Sequence, residues 1–249
     1  MRMDKPGIVI VGLGPAGANL LTREAWEWLN SLSEVYLRTA FHPCVGELPP
    51  GLEVHSFDDV YEQEESLAAV LAEISQRVLQ LGRRQGGVTY GVPGSPWVAE
   101  DTTVQILDAA KEEGLPVRVI DGMSFVEPVC AALGIDPSAK LFFVDALHLA
   151  DRYVPSFPPS YGALISQITT GMPLSEVKLT LMSNYPDEYL VRLVHAAGTN
   201  QQEVEELPLY ALDHSPKVGL LSTLYIPPWE ENRSFENFQE IIARLRAPD

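Results

Sequence analysis

Cysteine is scarce. Cys44 and Cys130 are the two in 249 residues, and they show no metal-ligand spacing. They fit a reducing, cytoplasmic compartment better than a disulfide framework, and no metal is expected. Basic residues are few, with 17 Lys and Arg against 34 Asp and Glu and a formal net charge of −17. Arg83-Arg84 is the only adjacent basic pair. An acidic chain without a basic patch repels phosphate backbones, which disfavours a nucleic-acid partner. No apolar run is long enough to span a bilayer. The short apolar stretch after Met1 to Pro6 reads as a first strand, with no signal peptide. Tandem repeats and low-complexity tracts are also lacking.

What the chain does have is glycine and proline at strand ends. Val88-Thr89-Tyr90 is a β-branched and aromatic run that breaks into Gly91-Val92-Pro93-Gly94-Ser95-Pro96, and a helix is predicted from about Trp97 to Glu113. Strand, kinked loop and helix place backbone amides at the carboxyl edge of a parallel sheet, where ligands of α/β folds bind. The arrangement recurs twice. Gly7 to Val11 reads as a buried strand, followed by Gly12-Leu13-Gly14-Pro15-Ala16-Gly17 and a helix from about Ala18 to Ser31. Val117 to Ile120 reads as a strand, followed by Asp121-Gly122-Met123-Ser124-Phe125 and a helix to about Leu133. Ser124 suits both a helix cap and a ligand contact. Three such junctions predict a doubly wound parallel α/β sheet.

The first loop matches G-x-G-x-x-G, the dinucleotide fingerprint. That site also wants an acidic residue ending the next strand, to hold a ribose. The predicted strand, Glu34 to Arg38, ends instead in Arg38 and Thr39. Arg38 suits the 2′-phosphate of NADP or is a solvated strand end, so an NADP- or FAD-linked oxidoreductase is one candidate function. His42 and Cys44 lie in a loop from Thr39 to Gly51 and read as structural. Asp58, Asp59, Glu62, Glu64 and Glu65 read as a solvated acidic loop after a short strand at Val54 to Phe57. Leu67, Val70, Leu71, Ile74, Val78 and Leu81 fall at helical spacing and predict a core-facing helix.

A domain boundary is predicted near Asp136, after Gly134. Beyond it, strands are predicted at 141–146, 163–168, 190–197 and 220–226. An exposed strand or turn is predicted at 203–209, and a helix from Pro173 to Met182.

The three loops, Gly12-x-Gly14-Pro15, Pro93-Gly94-Ser95-Pro96 and Gly122-Met123-Ser124 with Gly134-Ile135, together resemble the signatures of the tetrapyrrole (corrin/porphyrin) methylase superfamily. The resemblance runs over most of residues 7 to 227. It implies a class III S-adenosylmethionine-dependent methyltransferase fold, with α/β domains at 1–136 and 137–228 and the cofactor in the cleft between them. It carries cofactor contacts onto Pro15, Pro93, Gly94, Ser95, Val98, Ser124 and Phe125, and onto Gln167, Ala196 and Thr223 around the adenosine. The family commonly has Gly-Asp-Pro in the central loop, where this chain has Gly94-Ser95-Pro96, and Gly-Pro-Gly-Asp in the first, where it has Gly14-Pro15-Ala16-Gly17.

The variant most resembles the methylase-like domain fused to MazG-type nucleoside triphosphate pyrophosphohydrolases. Residues 229–249 form a tail, and its stretch from Phe235 to Asp249 looks like the opening of such a hydrolase. The tail leads to the expectation of a truncated chain or split gene without hydrolase activity. The central loop and the Gln167 position also look like peptide-backbone N-methyltransferases, so the implied acceptor is a small molecule or a peptide. Tyr90, Tyr185, His195 and Asp213 are candidates for acceptor contact or deprotonation, and no residue is assigned as catalytic. The resemblance also implies a homodimer. A cofactor-binding regulatory module without turnover is the alternative to a methyltransferase.

Overall fold

Five short strands build an all-parallel sheet in the order β3-β2-β4-β1-β5: β1 (Ile8–Gly12), β2 (Glu34–Leu37), β3 (Glu53–Ser56), β4 (Val88–Val92) and β5 (Val117–Ile120). The computed structural model describes residues 7–138, 140–168 and 174–229. Central strands of a parallel sheet are covered on both faces and become continuous apolar runs. β1 and β4 obey this, being buried along their whole length. β3, at the edge, carries the exposed Glu53 and the partly exposed His55.

Five helices cover this sheet: α1 (Arg23–Leu29), α2 (Asp58–Gln63), α3 (Leu67–Gly82), α4 (Asp101–Glu113) and α5 (Val126–Leu133). α3 starts where the Ser66 side chain accepts the Ala69 amide, and it turns Val70, Ile74 and Val78 inward against Ile8, Ile10 and Tyr90. Each fully buried aliphatic side chain of this kind contributes roughly 2 kcal/mol by leaving water. α4 and α5 end in the left-handed glycines Gly114 (φ 68°) and Gly134 (φ 67°).

Three expected boundaries move. The helix expected at Ala18 is a short 3-10 turn, Ala18–Leu20, followed by extended residues and then α1, capped by Thr22. The helix expected at Trp97 begins at Asp101, because Ala99 has a left-handed backbone (φ 54°) that helical progress cannot pass. The acidic stretch is largely helical: α2 places Asp58 and Asp59 in its first turn, where carboxylates favour the free amides.

By internal contacts the chain divides into Met1–Asp136 with Val194–Val204, and Pro137–Leu193 with Glu205–Asp249. The second unit is built on a mixed five-stranded sheet, β6-β7-β10-β8-β9: β6 (Leu141–Asp145), β7 (Gly162–Ile168), β8 (Leu190–His195), β9 (Glu203–Pro208) and β10 (Ser222–Ile226). β6 pairs parallel with β7, and β10 antiparallel. α6 (Ala146–Ala150) and α7 (Leu174–Met182) supply Leu149, Val177 and Leu181 to a core with Ile165, Leu193 and Leu224. Pro173, expected to open the second helix, and the hydrolase-like stretch from 235 to 249 lie outside the described residues.

Candidate functional site

The three glycine-containing loops of the first unit interlock through their backbones. Gly14 and Gly94 each donate an amide to the other's carbonyl, at 3.1 and 2.8 Å, as an isolated antiparallel bridge. Both take positive φ, 69° and 68°. A Cβ on Gly12 would stand 2.6 Å from the Gly122 backbone, and one on Gly122 would stand 2.3 Å from the Gly94 carbonyl oxygen. The glycines are therefore required first for the loops to touch one another.

Within this clasp, Pro15 directly follows Gly14, and Pro93 and Ser95 flank Gly94. Ser95 is buried, and its Oγ accepts the Trp97 amide at 3.2 Å. Ser124 is also buried; its Oγ accepts the Val126 amide at 3.1 Å and donates to the Glu127 carboxylate. Phe125, not Ser124, stands at the N-cap of α5, and the Ser124 hydroxyl is engaged in the turn just before it. Val98 and Phe125 are half-buried beyond these turns. Trp97 is 55% exposed, and its indole N–H donates to Asp121 Oδ1 at 2.9 Å.

Glu47 contacts the first loop. Its Oε2 accepts the Ala18 amide at 2.8 Å, and its carboxylate lies where a Cβ on Gly17 would be 3.1 Å away. In a dinucleotide site the amides after the glycines face a pyrophosphate. Here the Ala18 amide donates to the Glu47 carboxylate, and Arg38, the residue suited to a 2′-phosphate, is engaged with Glu100.

Arg38 corrects the expectation of a solvated strand end. Its Nη1 donates to Glu100 Oε2 at 2.7 Å, and the Glu100 side chain is 1% exposed. Glu100 Oε1 accepts the Thr102 amide at 3.2 Å and the Thr102 hydroxyl, and that hydroxyl meets the Tyr90 hydroxyl at 3.1 Å. Burial is the largest influence on the Arg38 pKa and lowers it, but the Glu100 charge, the Tyr61 and Tyr90 phenols and the Glu100 hydrogen bond together raise it by more, so the guanidinium stays ionised. Burial, with Glu100 nearby, drives the Tyr90 phenol well up, so it is neutral and unavailable to an acceptor.

His42 and Cys44 are structural. The Cys44 amide points at His42 Nδ1 at 3.4 Å and the thiol lies 3.1 Å from the same nitrogen. Nδ1 thus accepts the Cys44 amide, and the ring also makes a hydrogen bond with the Gly14 backbone. Burial brings His42 down to about 4 and pushes Cys44 up to about 12, so both stay neutral and the thiol is inert.

The second unit bears its own distinctive backbone. Gln167 has φ 61°, within a β-bulge: Ser222 pairs with Ile168 and Leu224 with Ile165, so Ser166 and Gln167 together oppose Thr223. Ala196, immediately after β8 in the segment Val194–Val204 that groups with the first unit, has φ 49°. β7 and β10 are neighbours in the sheet, so Gln167 and Thr223 lie across one strand pair. Left-handed residues other than glycine are uncommon and concentrate at functional sites.

The family model for Tetrapyrrole (Corrin/Porphyrin) Methylases matches residues 7–213. The chain belongs to this family. It is 36% identical over 247 residues to an uncharacterized protein, YabN, of Bacillus subtilis, covering 97% of this chain and 50% of the relative. It thus spans half the length of that relative. Similarity extends to a methyltransferase and ribosomally synthesized type I borosin cyclic peptide precursor of Coprinopsis marcescibilis, 22% identical over 97% of this chain and 67% of the relative. In fold, it resembles the uroporphyrin-III C-methyltransferase of Thermus thermophilus complexed with S-adenyl homocysteine, with TM-score 0.61 and 17% identity over 89% of this chain and 92% of that one. The architecture is that of the class III methyltransferases.

The candidate acceptor residues of this methylase family member fare differently. Tyr185 is buried, its hydroxyl has no hydrogen-bond partner among the described residues, and burial raises its pKa. Asp213 receives Lys178 Nζ at 2.7 Å and the Ser175 hydroxyl at 2.8 Å, which hold its carboxyl below the usual range. It ties α7 to the turn Leu209–His214. His195 closes β8. A surface pocket of about 370 Å³, lined in part by Tyr36, His55, Phe57 and Arg77, shares no residue with the loops. Sequence reasoning missed Glu47, Glu100 and Ala99, and no local pattern marks them: each matters through a partner or a backbone angle remote from its own neighbours.

Proposed function

We propose that this chain binds S-adenosylmethionine and transfers its methyl group to an acceptor, leaving S-adenosylhomocysteine. The observation that carries this is the Glu47 carboxylate on the Ala18 amide, 2.8 Å away. A phosphate-bearing dinucleotide would meet that negative charge directly, whereas an adenosyl ligand with a sulfonium and an ammonium group is compatible with it. Family membership supports the same choice. Pro15, Pro93, Gly94, Ser95 and Val98 would hold the methionine part, with Ser124 and Phe125 beside them, and Gln167, Ala196 and Thr223 the adenosine.

When bound, the cofactor supplies an electrophilic methyl group. The residues of this chain are suited to orienting a ligand and excluding water. The Ser124 hydroxyl both accepts and donates within its turn, while Ser95 Oγ accepts the Trp97 amide and keeps its O–H to donate. Tyr90 is held neutral in the core, and no carboxylate stands in the central loop. Proton removal from the acceptor is therefore assigned to none of these groups.

The acceptor is a small molecule, as tetrapyrrole methylation suggests, or a peptide, as the borosin relative's name suggests. Transfer from methyl-labelled S-adenosylmethionine to a panel of tetrapyrroles, nucleotides and peptides tests this. Label in one class identifies it. Binding without label transfer favours the alternative, a regulatory cofactor-binding module. Ser95, standing where the family commonly has aspartate, favours that second reading. A relative twice as long is consistent with coupling to a further domain such as a MazG-type hydrolase. Homodimer assembly in the cytoplasm completes the proposal.

A further inference from the structure

We propose that Arg38 is a positioning residue for the adenosyl ligand, acting through Glu100 on the loop that carries Pro93, Ser95 and Val98; this rests on the adenosyl reading of that loop. The loop is clamped at both ends. At its start, Gly94 is bridged to Gly14. At its end stands Glu100, the cap of α4, whose carboxylate is buried and receives Arg38, the Thr102 amide and the Thr102 hydroxyl. Arg38 is anchored in turn, because its own amide donates to the Gly91 carbonyl at 2.9 Å, on the strand that leads into the loop. One side chain thus spans from the strand before the loop to the helix cap after it.

Two features argue that this pair sets geometry and does more than add stability. Ala99, next to Glu100, is left-handed (φ 54°) although alanine has no preference for that conformation, so its neighbours must hold it there. Arg38 Nε is buried and has no hydrogen-bond partner among the described residues. An ion pair that leaves a donor unmet is a poor stabiliser beside an apolar pair of the same volume. What it supplies is direction: the Glu100 carboxylate is held at one place, and with it the turn Pro96 to Ala99. The position where a dinucleotide fold keeps its ribose-binding carboxylate is used here to brace the neighbouring loop from beneath.

The test is calorimetric titration of S-adenosylhomocysteine into the wild type, R38K, R38M and the double variant R38M/E100M. Thermal melting and amide hydrogen exchange of residues 93–100 accompany it. R38M leaves Glu100 buried and unpaired and is prone to unfold; the double variant removes both charges. The expected result is a double variant that melts near the wild type, exchanges faster in this loop and binds on the order of tenfold more weakly, as misplaced ligand-holding groups do. R38K restores part of the affinity relative to R38M. Wild-type affinity and wild-type loop exchange in the double variant overturn the proposal. If the double variant melts far below the wild type, R38K decides: weaker binding at unchanged melting supports the role, and unchanged binding overturns it. A wild type that binds no S-adenosylhomocysteine overturns the adenosyl reading itself, a result distinguishable from unchanged affinity among the variants.

Discussion

Gly14 and Gly94 exchange both of their backbone hydrogen bonds, at 3.1 and 2.8 Å. Two loops that each look like a ligand cradle in the sequence are thus one structure, and Gly122 closes it from the third side. The glycine pattern is explained by mutual loop contact before any ligand is considered.

Gly122→Ala should therefore be severe. Its Cβ would sit 2.3 Å from the Gly94 carbonyl oxygen, and backbone cannot yield as a side-chain end does. A loss of about 2–4 kcal/mol is expected in urea unfolding, with a parallel loss of ligand affinity. Gly86→Ala is the control: nothing lies within 4 Å, so its effect should stay within about 0.5 kcal/mol or be slightly stabilising.

Acid should weaken the first unit through His42. Its folded pKa is down at about 4 from 6.5, so between those values the unfolded chain binds the proton that the folded chain refuses. Stability rises with pH through this window and falls as pH drops from 6.5 towards 4, by on the order of 3 kcal/mol from this group. Denaturant titrations across this range should show a shallower slope in His42→Gln than in the wild type; an identical slope would show that His42 does not titrate this way.

Gln167→Gly should separate strain from function. Glycine accepts φ 61° freely, so the second unit should unfold no more easily and gain up to about 1 kcal/mol. S-adenosylhomocysteine binding should nonetheless weaken, because the side chain is lost.

Asp213→Asn removes the partner of Lys178. A loss of about 1 kcal/mol is expected at neutral pH, given partial exposure. The Asp213 pKa is lowered by Lys178, so the wild-type advantage is full above the ordinary carboxylate range and disappears as pH falls through the folded value. Adenosyl binding should be unchanged, as a structural clamp requires.

Much of the first sheet was legible because β1 and β4 are apolar runs buried on both faces, and α3 shows a clean helical period. The break at Leu21-Thr22 was not, since the residues around it are compatible with a continuous helix and the interruption depends on Thr22 reaching the Asp121 carbonyl at 3.0 Å. Arg38 looked like a strand end because its partner, Glu100, is distant in sequence and buried only by the fold. Gln167 and Ala196 were named through resemblance; neither residue type signals a left-handed backbone. Long-range pairing and backbone angle, the two quantities that shape this site, are the ones a local pattern carries least.

The most direct measurement is calorimetric titration of the purified chain with S-adenosylmethionine and S-adenosylhomocysteine, with NADPH and FAD as controls. Micromolar binding of the adenosyl ligands, lost when Ser95 or Ala196 is replaced by a bulky residue, with no binding of either control, is the result expected from Glu47 on the Ala18 amide. Tight NADPH or FAD binding with no adenosyl binding would contradict it.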